Sequence, residues 1–97
     1  MEYIIIPTTE IIKLPDRGYF KYGDTGNSIG IISSFLACNF MGYEEKLGVK
    51  INDMLGCTFG KNLRAWIIEF QKQNGLDPDG NIGSITLNKL REYGLSL

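Results

Sequence analysis

A chain of 97 residues suffices for one domain that buries a core without disulfides or metal. Its 43% apolar and 22% charged residues are ordinary for a globular protein, and a net charge of −1 supplies no basic face for a nucleic-acid partner. Histidine is absent, which removes the commonest general base and the commonest zinc ligand together.

Residues 1–14 carry two β-favouring runs, Tyr3-Ile4-Ile5-Ile6 and Ile11-Ile12, separated by Pro7 and Thr8-Thr9-Glu10. Residues 1–13 read as a linker or edge strand packed on a body of residues 14–97, because a bare apolar strand invites aggregation. The run at 3–6 is far shorter than the ~20 residues of a spanning helix, so neither a membrane partner nor a signal peptide is expected. Turn formers follow, in Leu14-Pro15-Asp16-Arg17-Gly18-Tyr19-Phe20 and Gly23-Asp24-Thr25-Gly26-Asn27.

The first helix is expected after Asn27 or Ser28, either of which can cap it, and runs to about Met41, where Gly42 stops it. Ile29, Ile32, Phe35, Leu36 and Phe40 share one face. Ile31, Ala37 and Cys38 make it apolar nearly all round, which calls for a cover on a second face. The N-terminal strand or a second copy of the chain, in a homo-oligomer, supplies one. Residues 43–55 read as a charged, irregular connection in which Glu44-Glu45-Lys46 is a solvated patch.

The second helix starts near Gly60 and stops at Asn74-Gly75, with Leu63, Trp66, Ile67 and Phe70 as its apolar stripe. The third begins near Gly83 or Ser84 and ends before Gly94, with Ile82, Thr86, Leu90 and Tyr93 inward. Thr58-Phe59-Gly60-Lys61-Asn62-Leu63 aligns with Asn81-Ile82-Gly83-Ser84-Ile85-Thr86, an internal repeat of turn plus helix. The fold class is therefore mainly α.

Neither metal nor catalysis finds support. Cys38 and Cys57 lack CxxC spacing and read as buried free thiols, with a mutual disulfide as the alternative. In Asp77-Pro78-Asp79-Gly80-Asn81-Ile82-Gly83, a calcium-loop register puts Gly75 and Thr86 where the first and last carboxylate ligands belong. Asp79-Gly80 is better read as a turn. Asp53, Asp77 and Asp79 all lie in turn contexts, and neither cysteine has a base, so no catalytic residue and no cofactor are expected.

Phe70-Gln71, Asn74-Gly75-Leu76, Asp79-Gly80, Ile82-Gly83, Thr86 and Leu90 resemble the repeat of the peptidoglycan-binding-domain-like family. Upstream, Leu14-Pro15, Arg17-Gly18-Tyr19-Phe20 and Gly23-Asp24 with Gly26 resemble the lead-in segment of such modules in phage and bacterial wall hydrolases. Residues 14–95 are covered. The first half departs from the pattern: Ile32-Ser33 replaces Leu-Gln, Gly56-Cys57 replaces Asp-Gly, and Leu63 replaces threonine. The resemblance implies a three-helix bundle with a short N-terminal extension. It also implies a non-catalytic, carbohydrate-binding module that targets a wall-degrading enzyme, such as a bacteriophage endolysin, to peptidoglycan or an attached wall polymer. A module of a phage enzyme is made in the host cytoplasm and acts at the wall. The alternative is a structural or oligomerisation domain of the same fold.

Within the motif, Gly80 and Gly83 are expected to serve turns, Phe70 and Leu90 the core, and Gln71 and Thr86 nearby backbone groups. Ligand contacts are expected at Tyr43, Asn62, Arg64, Asn81 and Ser84. Their amides, hydroxyls and guanidinium can bond sugar hydroxyls, acetamido groups or a stem-peptide carboxylate, and an aromatic ring can stack on a sugar face. Trp66 is an outsider, since its place on the apolar stripe favours the core.

Overall fold

The computed structural model describes residues 12–95. Among them the chain forms β1 (Tyr19–Phe20), α1 (Asn27–Asn39), α2 (Gly42–Leu47), α3 (Ile51–Met54), α4 (Lys61–Gln73), β2 (Ile82–Gly83) and α5 (Ser84–Glu92). The expected mainly helical architecture holds, and α1, α4 and α5 are its three main helices. The apolar run at residues 3–6 lies outside the described residues.

The stripe of α4 explains the centre of the molecule. Leu63, Trp66, Ile67 and Phe70 fall on one face and are all buried, at about 1.5–3 kcal/mol of apolar burial apiece. They pack with Ile29, Ile32 and Leu36 of α1, Phe59, Ile82, and Leu87 and Leu90 of α5 in one core. The Trp66 indole donates from Nε1 to the Val49 carbonyl at 3.2 Å, so its polar end is also satisfied. Of the inward residues expected on α5, Ile82, Thr86 and Leu90 are buried but Tyr93 is 49% exposed. Its ring edge meets Phe40 and Phe70, and its hydroxyl donates to Asn74 Oδ1 at 2.8 Å. That polar tip holds the ring at the surface.

Four expectations need correction. Gly26, not Asn27 or Ser28, is the N-cap of α1, with φ +142° and no side-chain cap. Its amide donates to the Cys57 carbonyl at 2.9 Å, which fixes the chain where only glycine sits without strain. At the other end α1 stops at Asn39, because Phe40 leaves helical geometry to stack on Tyr43 at 5.3 Å. Gly42 opens α2 instead of closing α1.

The connection at 43–55 is not irregular, since it holds α2 and α3. Gly48, at φ +70°, closes α2, and Glu44 Oε2 accepts the Ile51 amide at 3.0 Å at the start of α3. The charges here are partly structural too, for Lys46 Nζ pairs with buried Glu69 at 2.6 Å. Finally, Cys38 and Cys57 are free as expected but exposed, Cys57 lying on a turn and Cys38 on the outer side of α1. Ile31 of α1 is also exposed, whereas Ala37 is buried.

The internal repeat is visible in three dimensions. Gly60 and Gly83 cap α4 and α5 with nearly equal backbone angles, φ −99° and ψ −174° against φ −97° and ψ −166°. Phe59 and Ile82 just before them are fully buried. Each unit also has one buried polar side chain that braces its turn. Ser33 Oγ accepts the Gly56 amide at 3.2 Å and donates to the Gly56 carbonyl at 3.1 Å. Gln71, at the matching place on α4, binds the turn at Gly80.

One extended segment joins the two units. Tyr19 pairs with Gly83 and Phe20 with Ile82 in an antiparallel ladder. Gly23 then donates to the Phe59 carbonyl, Phe59 to the Asp24 carbonyl, and Thr25 bridges Thr58.

Candidate functional site

Alternation along β1 sends Phe20 into the core and leaves Tyr19 half-exposed on the other side. Across the ladder the chain turns through Asp79 and Gly80 and enters α5 at Ser84. These pieces enclose an open groove of about 530 Å³. Tyr19, Asp77, Asp79, Asn81, Ser84 and Ile85 supply its wall, with Thr86 and Leu76 among the rest.

The groove combines an aromatic face, an apolar side chain and several hydrogen-bonding groups. Both charged groups in its lining are carboxylates, Asp77 and Asp79. Arg17 lies over the Tyr19 ring, 5.7 Å from its centroid, and is held there by a bidentate pair with Asp24 at 2.9–3.1 Å. Tyr19 therefore stands on a braced neighbour.

The turn is built from local chemistry and one distant amide. Asp79 Oδ1 accepts the Asn81 amide at 2.9 Å, an Asx-type turn. Gly80, at φ +79°, is the left-handed residue this geometry requires. Gln71 is 1% exposed. Its Nε2 donates to Asp79 Oδ1 at 3.1 Å, the Asn81 carbonyl at 2.8 Å and Thr86 Oγ1 at 3.1 Å, while Oε1 accepts the Gly80 amide at 2.9 Å. Gln71 thus satisfies backbone groups of the turn as expected, whereas Thr86 Oγ1 bonds the Gln71 side chain instead of the backbone. Gly83 does not serve the turn as expected: at φ −97° its backbone is within reach of any residue, and a methyl there would make only ordinary contact, at 3.7 Å, with the Tyr19 side chain and the Gly18 carbonyl.

Of the expected contact residues, the structure brings Asn81 and Ser84 together in the groove. Arg64 lies against the turn from α4, where its Nε is 2.9 Å from the place of a Cβ on Gly80. Asn62 faces the other way and donates to the Asp53 carbonyl at 3.1 Å. Tyr43 stands apart on α2, half-buried between Phe40 and Trp66. Burial, then the charge of Glu69 and neighbouring Tyr93, pushes its hydroxyl up to about 12. Trp66 is wholly buried, in keeping with its place on the stripe.

Sequence reasoning missed Tyr19, Asp77, Asp79 and Ile85 as groove residues. Ile85 left a signal, because an isoleucine one position before the inward Thr86 has to face solvent, and it is 70% exposed. Tyr19 left none that composition could show, since its partner strand lies at the far end of the domain.

No helix among the described residues is long and apolar enough to cross a membrane. Searches of the curated proteins and of the solved structures gave no match. A family profile described as "Putative peptidoglycan binding domain" matches residues 42–90, which take in α2, α3, α4, the Gly80 turn, β2 and most of α5. With half of its length inside that match and its two turn-helix units in place, the chain belongs to the peptidoglycan-binding-domain family.

Proposed function

We propose that this chain is a non-catalytic module that holds a wall hydrolase on peptidoglycan, and that the groove beside Gly80 is where wall polymer lies. The observation that carries this reading is the convergence of Tyr19, Asn81 and Ser84 in one open groove of a peptidoglycan-binding-family domain. Asn81 and Ser84 offer donors and acceptors for hydroxyl and acetamido groups, and the Tyr19 ring offers a flat face to a sugar. Arg64, next to the turn, meets a stem-peptide carboxylate. Tyr43 and Asn62 form a second, outlying contact on the side of α2 and α3. The binding unit spans residues 14–97, with residues 1–13 as linker or edge strand. Tethering raises the effective substrate concentration for a linked catalytic domain, as in an endolysin made in the host cytoplasm of a bacteriophage infection.

Sedimentation with purified Gram-positive sacculi tests the reading. The protein is expected in the pellet, and Asn81→Ala with Ser84→Ala should weaken binding about tenfold, as two hydrogen bonds at ~0.5–1.5 kcal/mol each imply. Unchanged binding in that double variant removes the groove from the reading. A second reading, an assembly domain that joins copies of the chain, draws on the exposed Ile31 and Leu55 beside Cys57. Protein left in the supernatant, together with a dimeric mass by light scattering, favours it.

A further inference from the structure

The groove is shaped from inside the core. Asp79, Asn81 and Thr86 line it, and all three accept from Gln71 Nε2. Among the described residues, the side-chain hydrogen bonds that tie Asp79, Gly80 and Asn81 to the body of the domain all end on this one amide. Its orientation is dictated by its partners, since three acceptors surround Nε2 and a backbone N–H faces Oε1. A side-chain amide has only two hydrogens for those three acceptors, so the contacts share protons and leave no spare donor. The rest of α4 is held differently, through the apolar burial of Leu63, Trp66, Ile67 and Phe70. Losing the amide therefore strikes the groove and spares the bundle.

The other unit is braced differently. Ser33 spends its hydroxyl on Gly56 and on the Gly30 carbonyl of its own helix, and no side chain of the next helix joins it. The surface beside that turn is a shallow, mainly apolar patch that includes Ile31 and Leu55. Only the Gln71 unit ties three groove residues to one point.

We propose that Gln71 is the positioning residue of the groove: its amide sets where Asp79, Asn81 and Thr86 stand, and wall affinity follows the donor pattern at that buried position. This rests on the reading of the groove as the wall-contact surface. Gln71→Glu is the informative change, because it keeps the shape and turns the donor into an acceptor. Ionised, the new carboxylate faces the Asp79 carboxylate and the Asn81 carbonyl, which push the turn outward; the Thr86 hydroxyl can turn to donate, and Arg64 against Gly80 is the nearby cation that offsets part of the repulsion. Protonated, it again donates one hydrogen while accepting the Gly80 amide.

Two measurements compare this variant with the unaltered protein at pH 8 and pH 5. In sacculus binding, Q71E should be weaker by about tenfold at pH 8, the size expected when buried polar groups lose their partners, and recover to within about twofold at pH 5. In amide NMR of the free protein, the Gly80 and Asn81 signals of Q71E should move with pH and return towards their unaltered positions at pH 5, while those of Ile29, Ile32 and Leu36 stay fixed. Equal binding at both pH values, or Gly80 and Asn81 signals that ignore the substitution, overturns the proposal. So does displacement of the α1 signals to the same extent, which marks a general structural role. If the unaltered protein fails to bind sacculi while the NMR behaves as described, wall binding falls and the control of the groove by Gln71 stands. Should Q71E not fold at pH 8, Gln71→Met fills the same space without charge. Its Gly80 and Asn81 signals are then expected displaced at every pH with no recovery at pH 5, and undisplaced signals overturn the proposal.

Discussion

Gly80 sits at φ +79°, and a Cβ added there would meet Arg64 atoms at 2.9–3.2 Å. Gly80→Ala should therefore cost about 1–2 kcal/mol from the left-handed backbone alone, read as a lower urea midpoint. Arg64 is flexible at its far end, so making the change in an Arg64→Ala background should recover the contact share and leave the backbone share. Two titrating groups set the pH limits at this scale. Hydrogen bonds from Gln73 and Lys46 hold the Glu69 carboxyl below the usual range. Its stabilisation is fully present above the ordinary glutamate value of ~4.3 and is lost as pH falls through the lowered one. Glu69→Gln should flatten the acid limb of a Tm-versus-pH curve. Tyr43 works in the opposite direction: its raised value, about 12, makes its contribution complete below the ordinary tyrosine value of ~10. That contribution fades as pH rises between the two, and Tyr43→Phe should remove this alkaline loss.

At the scale of elements, α4 was plain in the sequence and α2 and α3 were not. Leu63, Trp66, Ile67 and Phe70 repeat at helical spacing ahead of an Asn74-Gly75 stop, and the helix observed ends at Gln73. The helices at 42–47 and 51–54 are too short to show a period, and isolated segments of that length do not hold helix in water. Packing against α4, the Lys46–Glu69 pair and the Glu44 bond to the Ile51 amide create them. None of these partners is a neighbour in sequence. Glu44→Ala should consequently cost about 1 kcal/mol, as loss of a helix cap does, with α3 losing hydrogen-exchange protection before α4. The groove was half legible for the same reason. Asn81 and Ser84 follow a recognisable turn, whereas Tyr19 joins them only through a ladder whose other strand lies beyond four helices.

Across the whole molecule the two turn-helix units share α4 and the segment that runs from Phe20 past Ile82 to Thr25 beside Thr58. Neither unit keeps its core without the other, so unfolding should be a single transition. Trp66 is the sole tryptophan and lies at the centre of that core, so its fluorescence reports the packing directly. Urea curves by Trp66 fluorescence and by far-UV circular dichroism should coincide. A fluorescence change that precedes the loss of helix would separate the units.

The pairing of Tyr19 with Gly83 also sets an order of events during synthesis. The residues of α1 to α4 leave the ribosome first, yet β1 has no partner until the chain has been made past Gly83. The groove is thus the last surface to be completed, and a nascent chain stalled before residue 82 lacks both the partner of β1 and the binding face.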